Sequence, residues 1–451
     1  MNFSYLVLQG LELPSLEFPY LGTRGLVAIV MLIHMFFAEL FIGYVLGSPL
    51  LQFWSVRTGN PRFERLAHSL ARFNVLTFSI GATWAVMFLV VIVGFYPRVT
   101  AALFIHFFWF FPVIAMIVMV LTLWLFYLHY YRAKNRARPL NIAAGFAAAF
   151  FIYVWMLILT GMDTFMVTGG GTAGQAVQEG SSVSSLGSAL GSIFNPMFYW
   201  MALHRIGGNL SWPAYAVAAW AAFAYRRAKS VEDKAFYDWA GSMGVIFGTV
   251  FLLFQPFSGF LNILFLKLAY RPEGLPGAAS PYDRITGSGT GAGSFTSKML
   301  LVNLALVVVL FVLSNVAMYM GAQRHPERAG RRPIQVFGFI AALAGLYSIS
   351  PIAAWPILYM RYIMIGIMLL ATLGTLVAYV RGRREFRYGS PSGNYRTVLL
   401  LLGALAAVVA LGMGWMKSDS RSPYTIYGDN SYQVDSERPV VPSELQQETS
   451  K

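Results

Sequence analysis

Residues 99–130 read VTAALFIHFFWFFPVIAMIVMVLTLWLFYLHY and contain no Asp, Glu, Lys or Arg. A helix needs about 20 predominantly apolar residues to cross the hydrocarbon core of a bilayer, and this run exceeds that length. The whole 451-residue chain has the same character, with 57% hydrophobic and only 12% charged residues. A soluble domain carries about 25% charged residues. The composition therefore predicts an all-α polytopic membrane protein and excludes soluble enzyme folds.

Apolar runs of this kind recur along the chain and predict about ten transmembrane helices. Their approximate bounds are 24–47, 71–96, 99–130, 139–167, 196–225, 236–266, 298–321, 334–352, 356–380 and 396–416. The expected organisation is an interfacial segment (1–23), six helices (24–266), an external loop (267–297), two helices (298–352), two more helices (353–416) and an external polar tail (417–451).

The basic residues predict how the helices are oriented. The chain has 33 Lys and Arg against 19 Asp and Glu, and 21 of the 33 follow the odd-numbered spans. Because Lys and Arg concentrate in cytoplasmic loops, we expect these loops in the cytoplasm and both termini on the outer, periplasmic side of a bacterial inner membrane. The net charge of +14 is thus explained by topology, without any binding of nucleic acid.

The chain has no Cys, so it can form no disulfide, no thiolate-held iron–sulfur cluster, no covalent C-x-x-C-H haem and no Cys nucleophile. It has six His, and His34, His106 and His204 fall at similar depth in the outer halves of the first, third and fifth spans. Ionisable groups inside a membrane are costly and commonly functional. Because imidazole and thioether ligate haem iron, we interpret the three as candidate haem ligands; the alternative is that they are hydrogen-bonded packing residues. His68, His129 and His325 lie at the cytoplasmic edge, and we expect them to be ordinary interfacial residues.

Five stretches resemble subunit I of the cytochrome bd quinol oxidases in order, spacing and sidedness, over about three quarters of the chain. They are LIHMFFAELFIGYVLG (32–47), RFNVLTFSIGATWAVMF (72–88), LHRIGGNLSWPAYAVAAWAAFAYRRAK (203–229), WPILYMRYIMIGIMLL (355–370) and GWMKSDSRSPY (414–424). The last is similar to a degraded form of that family's Gly-Arg-Gln-Pro-Trp motif.

The resemblance implies one to three b-type haems with specific ligands. His204 and Met364 match the His/Met pair of the low-spin haem b that accepts electrons from quinol. His34 matches the family's first-helix His, which ligates a high-spin haem, and His106 stands where the family has a Glu. Whether His34 and His106 would share one haem stays open at this point.

The same resemblance implies a quinone site and also departs from the family at the oxygen site. Lys267 and Glu273 resemble the Lys and Glu of the family's quinol-binding loop. A second Glu of the third helix is replaced by Ile114, and few carboxylates are left in the membrane, among them Glu39 and Asp163. Oxygen reduction needs protons delivered to a buried haem, so we interpret the chain as a relative that kept electron transfer and lost or rebuilt oxygen chemistry.

Three functions follow as hypotheses. The first is a haem b subunit passing electrons between membrane quinone and an external c-type cytochrome, together with other membrane subunits of a respiratory complex. The second is a terminal oxidase subunit with a remodelled oxygen site, and the third is a scaffold or transporter without redox activity. On the first hypothesis, we expect the tail 417–451 to be disordered in isolation and to order against an external partner.

Overall fold

The computed structural model describes residues 22–132, 138–168, 184–269, 280–288, 293–350, 359–421 and 426. Within these ranges the secondary structure is helical and contains no strand. The helices are α1 (Gly22–Thr58), α2 (Pro61–Phe95), α3 (Pro97–His106), α4 (Ala115–Arg132), α5 (Arg138–Thr168), α6 (Leu186–Ile193), α7 (Phe198–Arg227), α8 (Val231–Ala269), α9 (Pro281–Thr286), α10 (Phe295–Gly321), α11 (Arg328–Ile349), α12 (Met360–Gly382) and α13 (Gly393–Asp419). The predicted all-α membrane class is confirmed.

Nine helical segments of the described chain are long and apolar enough to cross a membrane. They are Gly25–Thr58, Pro61–Phe95, Trp109–Tyr130, Pro139–Thr168, Val231–Lys267, Phe295–Arg324, Arg328–Ile349, Met360–Gly382 and Gly393–Asp419. These match nine of the ten predicted spans.

The remaining predicted span, 196–225, forms α7, a helix of 30 residues that is long enough to cross a membrane but less apolar than the nine. Polar residues such as Asn209 and Ser211 lower its hydropathy. Both are buried within the protein, as is Trp212. α7 packs against α8, α13, α1 and α5, so it occupies the centre of the bundle. A helix surrounded by protein can carry polar groups that a lipid-facing helix cannot.

The third predicted span is not one continuous helix. α3 ends at His106, the Phe110 and Phe111 amides both donate to the carbonyl of Phe107, and Trp109–Ile114 forms a π-helical turn before α4 begins. Pro112 gives the physical reason, because proline has no amide hydrogen and its ring clashes with the carbonyl four residues earlier. The break places His106 at the end of a short helix.

Small residues allow the central helices to approach closely. A side-chain carbon on Gly244 of α8 would lie 2.6 Å from the backbone nitrogen of Ala218 in α7. Beside this contact the fully buried Tyr215 hydroxyl is 2.7 Å from Ser314 Oγ and 3.2 Å from Thr249 Oγ1, which links α7 to α10 and α8. Close packing through small residues, supported by interhelical hydrogen bonds, is typical of membrane bundles.

A buried ion pair connects helices of the second half of the chain at their arginine-rich end. Arg324 Nε lies 3.0 Å from both carboxylate oxygens of Asp238, and Asp238 also accepts a hydrogen bond of 3.0 Å from the Gly389 amide. The Arg324 guanidinium carbon is 4.1 Å from the centre of the Tyr395 ring. These contacts fasten α8 and the α12–α13 connection to the end of α10.

Candidate functional site

His34 is held in the tautomer that suits a metal ligand. Its Nδ1 atom is 2.9 Å from the carbonyl oxygen of Gly81 in α2. Because a carbonyl only accepts, Nδ1 carries the proton and Nε2 keeps its lone pair. The two helices approach closely here, since a side-chain carbon on Gly81 would lie only 3.3 Å from Phe37 Cβ. Metal-bound histidines characteristically donate their second ring nitrogen in this way.

His204 shows the same pattern on α7. Its Nδ1 atom is 3.0 Å from Ser258 Oγ, and the Ser258 hydroxyl donates to the main-chain carbonyls of Phe254 and Gln255 at 3.2 Å each. When the single hydroxyl proton serves those carbonyls, Ser258 Oγ accepts from His204 Nδ1–H, and Nε2 is again left with its lone pair. One turn further along α7, no atom of the described residues lies within 4 Å of where a Gly208 side chain would be.

His106 differs from both. It is only 1% exposed, and each ring nitrogen has a partner at 2.8 Å: Ser184 Oγ for Nδ1 and Ser192 Oγ for Nε2. Its ring stacks on Phe165 with 5.4 Å between centroids. An iron atom could bind His106 only if one serine hydroxyl gave up its hydrogen bond.

Charged side chains from four helices and from the chain just after the last of them interact with one another, and we call this group the outer charge cluster. It consists of Glu39 on α1, Asp163 on α5, Arg205 on α7, Lys417 on α13 and Arg421 just after α13. Lys417 forms an ion pair with Asp163, and Arg205 donates to Thr160 Oγ1 at 3.3 Å.

The outer charge cluster is coupled electrostatically to both histidines. Arg205 interacts with His34 and with Glu39, and Lys417 interacts with His204. Three cations face two carboxylates, so the cluster has an excess of positive charge. In addition, the Nη1 atom of Arg421 is buried without a hydrogen-bond partner. Unpaired buried charge is expensive, so the excess favours an anionic ligand at this place.

The sequence analysis assigned Lys417 and Arg421 to the polar tail, and the structure places them differently. Lys417 and Asp419 belong to the last turn of α13, and the Lys417 side chain is only 16% exposed. The acidic partner was visible in the sequence: Asp163 inside an apolar span needs a countercharge. Residues 422–425 and 427–451 of the predicted tail lie outside the described residues.

Of the two predicted quinone residues, only Lys267 can be located. Its side chain is exposed in the last turn of α8, and its ammonium nitrogen lies 5.6 Å from the centre of the Tyr282 ring in α9. α9 is tied to the bundle through Arg284, which lies 4.0 Å from Asp419. Glu273 lies outside the described residues.

Met364 lies on α12, half-buried against the apolar core. α12 packs mainly on α11 and less on α10 and α8, and α8 is also the main neighbour of α7. Among the described helices, α7 and α12 do not pack extensively against each other. His204 and Met364 therefore lie on helices that are not packed directly against each other.

The described residues contain no group of three or more His, Cys, Asp or Glu that could hold a metal ion. A haem iron takes only one or two protein ligands, so this finding bears on free metal ions and not on haem.

The three histidines predicted at the cytoplasmic edge have structural partners. His129 is 1% exposed, with Nδ1 at 2.9 Å from the Asn141 carbonyl and Nε2 at 2.9 Å from Ser48 Oγ. His325 lies 3.1 Å from Glu385, and His68 lies 3.6 Å from Glu64.

Comparison with known proteins reveals likeness among solved structures alone. No protein-family profile matches the sequence, and no curated protein matches it. Among solved structures, the chain is similar to the bd oxidase from Geobacillus thermodenitrificans, with 11% identity and a TM-score of 0.47 over 93% of this chain and 99% of that one. We assign no residue and no activity from this likeness.

Proposed function

We propose that this chain is a haem b-binding membrane subunit that passes electrons between membrane quinone and an external c-type cytochrome. One observation carries the proposal. His34 and His204 are both fixed through Nδ1, so that Nε2 is free to ligate iron, and both border a buried cluster with excess positive charge. The sequence resemblance to the cytochrome bd quinol oxidases supports the same conclusion.

The residues present fit a haem on two counts. Nε2 of a neutral imidazole is the usual axial ligand of haem iron. A b-type haem also carries two propionate carboxylates, and the outer charge cluster offers cations for them, including the unsatisfied Nη1 of Arg421. When bound, the haem would supply one-electron redox chemistry.

The protein's own contribution is positioning. The Gly81 carbonyl and the Ser258 hydroxyl fix the orientation of the two imidazoles through their Nδ1 atoms. Met364 is proposed as a residue that would hold the same haem iron as His204, and His106 would hold iron only if it exchanged a serine hydrogen bond for it. Lys267, together with Glu273, is proposed to contact quinone at the outer end of α8.

The proposal is tested by absorption spectroscopy of the purified complex, before and after addition of quinol. We expect haem b that quinol reduces, without oxygen uptake. The His204→Ala variant should insert normally but lose a low-spin haem signal, whereas His68→Ala should keep the full haem content. Haem-free purified protein would contradict the proposal and favour a scaffold or transporter.

An oxygen electrode separates the remaining alternative. A haem d absorption band together with oxygen uptake at oxidase rates would replace the proposal with an oxygen-reducing subunit. The serine bonds on both nitrogens of His106 argue against that residue as an oxygen-site ligand.

A further inference from the structure

A cleft of 620 Å³ opens where α1 ends and where α2 and α8 begin, on the arginine-rich side of the bundle. It is unrelated to the outer charge cluster and makes no use of the proposed haem. Its lining includes Arg65, Ser69 and Arg72 of α2 and the ring of Tyr237 on α8.

The basic residues of the cleft form a stripe along one face of α2. Arg65, Ser69 and Arg72 are spaced at i, i+4 and i+7, which places them above one another on a helix. Arg72 lies 11 positions after Pro61, the first residue of α2, or about 16 Å along the helix axis. No Asp, Glu, Lys or Arg follows it in α2. The stripe therefore ends where the apolar part of the helix begins, and at this boundary we expect the lipid phosphates.

Arg72 is the cation of the stripe that lacks a partner. Arg65 is paired with Asp233 at 2.5 Å and lies 4.0 Å from the centre of the Phe236 ring. Arg72 is exposed and, within the described part of the chain, makes no hydrogen bond or ion pair. The cleft lining also includes the Glu64 carboxylate, which has partners of its own, so Arg72 is the cation left unpaired within the described part of the chain.

The same helix face continues with apolar residues. Val75 and Leu76 follow Arg72 at i+3 and i+4 and are 43% and 56% exposed. A cation at the interface with exposed aliphatic side chains directly below it is complementary to a phosphate group followed by acyl chains.

We propose that the cleft is a specific binding site for an anionic phospholipid, with its phosphodiester on Arg72 and its acyl chains along Val75 and Leu76. The Arg72 cation, unpaired among the described residues, favours a lipid of one net negative charge over a zwitterionic lipid of the same size. The site would fix a lipid at the α1–α2 hairpin.

The test is native mass spectrometry of the whole purified complex with added phosphatidylglycerol or phosphatidylcholine. We expect one phosphatidylglycerol to stay bound, with at least tenfold weaker retention of phosphatidylcholine. Arg72→Gln should reduce phosphatidylglycerol retention at least tenfold. Arg226→Gln is the matched control, because Arg226 is equally exposed at the same end of the bundle but outside the cleft, and it should change nothing.

A second variant keeps the charge and closes the space. Ser69→Leu places an aliphatic side chain in the cleft and should also weaken retention of phosphatidylglycerol. Equal retention of both lipids, equal losses in Arg72→Gln and Arg226→Gln, or displacement of the lipid by millimolar inorganic phosphate would each overturn the proposal. The last result would identify a site for free phosphate.

Discussion

At the scale of single residues, haem binding depends on which ring nitrogen of each histidine is already hydrogen-bonded. His34 and His204 differ from His106 and His129 because only the first two leave Nε2 without a partner among the described residues. The sequence places several histidines at one depth, but it does not show which serine or carbonyl each ring meets. Those partners come from other helices.

Met364→Leu tests the proposed thioether ligand. Leucine has a similar volume, so the fold should be kept, while loss of the sulfur should lower the haem potential or leave the haem high-spin. Met368 is the matched control, because it lies one turn further along α12 and is 1% exposed. A redox titration in which Met364→Leu and Met368→Leu behave alike would remove Met364 from the site.

Asp163→Asn tests the buried ion pair of the outer charge cluster. Removing one partner of a buried pair costs about 3–5 kcal/mol, and we expect about 2–4 kcal/mol because the two side chains are 23% and 16% exposed. Denaturant unfolding in detergent measures the effect. Adding Lys417→Met to Asp163→Asn should restore part of the loss; if the double variant is less stable than either single one, the pair is not coupled as described.

At the scale of elements, hydropathy predicts most of the bundle and fails where helices are shielded or broken. Nine spans stand out because lipid demands apolar side chains. α7 is not among them because it carries polar residues, such as Asn209 and Ser211, that its neighbouring helices bury. Hydropathy also does not reveal the break before Pro112, because it ignores backbone hydrogen bonds. Lys417 was assigned to the tail because a single charge near a helix end usually belongs to the interface.

The α7–α8 contact can be tested through its glycine. Gly244→Ala should destabilise the bundle by about 1–3 kcal/mol, because the added methyl group would lie 2.6 Å from the backbone nitrogen of Ala218. Gly94→Ala, in a helix with no atom within 4 Å of the added carbon, should be neutral or slightly stabilising. Thermal unfolding followed by circular dichroism compares the two; equal stability would show that α7 and α8 can separate without cost.

The whole molecule can be regarded as a bundle arranged around α7, with the haem-ligand candidates toward one end and the arginine-rich loops at the other. The distribution of Lys and Arg along the chain predicts this sidedness. It does not predict the outer charge cluster, whose members are far apart in the chain and meet only after packing.

Deletion of residues 427–451 tests the expected partner contact at this scale. We expect loss of an external cytochrome during purification, since this segment is proposed to lie along that partner. Haem content should be unchanged, because every proposed ligand precedes residue 427. Co-purification of all external subunits at unchanged stoichiometry would exclude the docking role.

The Asp163–Lys417 pair also has a consequence for biosynthesis. The two residues are 254 positions apart, and ribosomes add about 5–20 residues per second, so Asp163 waits about 13–50 s for its countercharge. During that interval Asp163 lacks its ion-pair partner and has only Arg205 of the outer charge cluster to offset its charge, and the pair forms only when the final helix arrives. We therefore expect a chain truncated before α13 to be less stable in the membrane than the complete bundle.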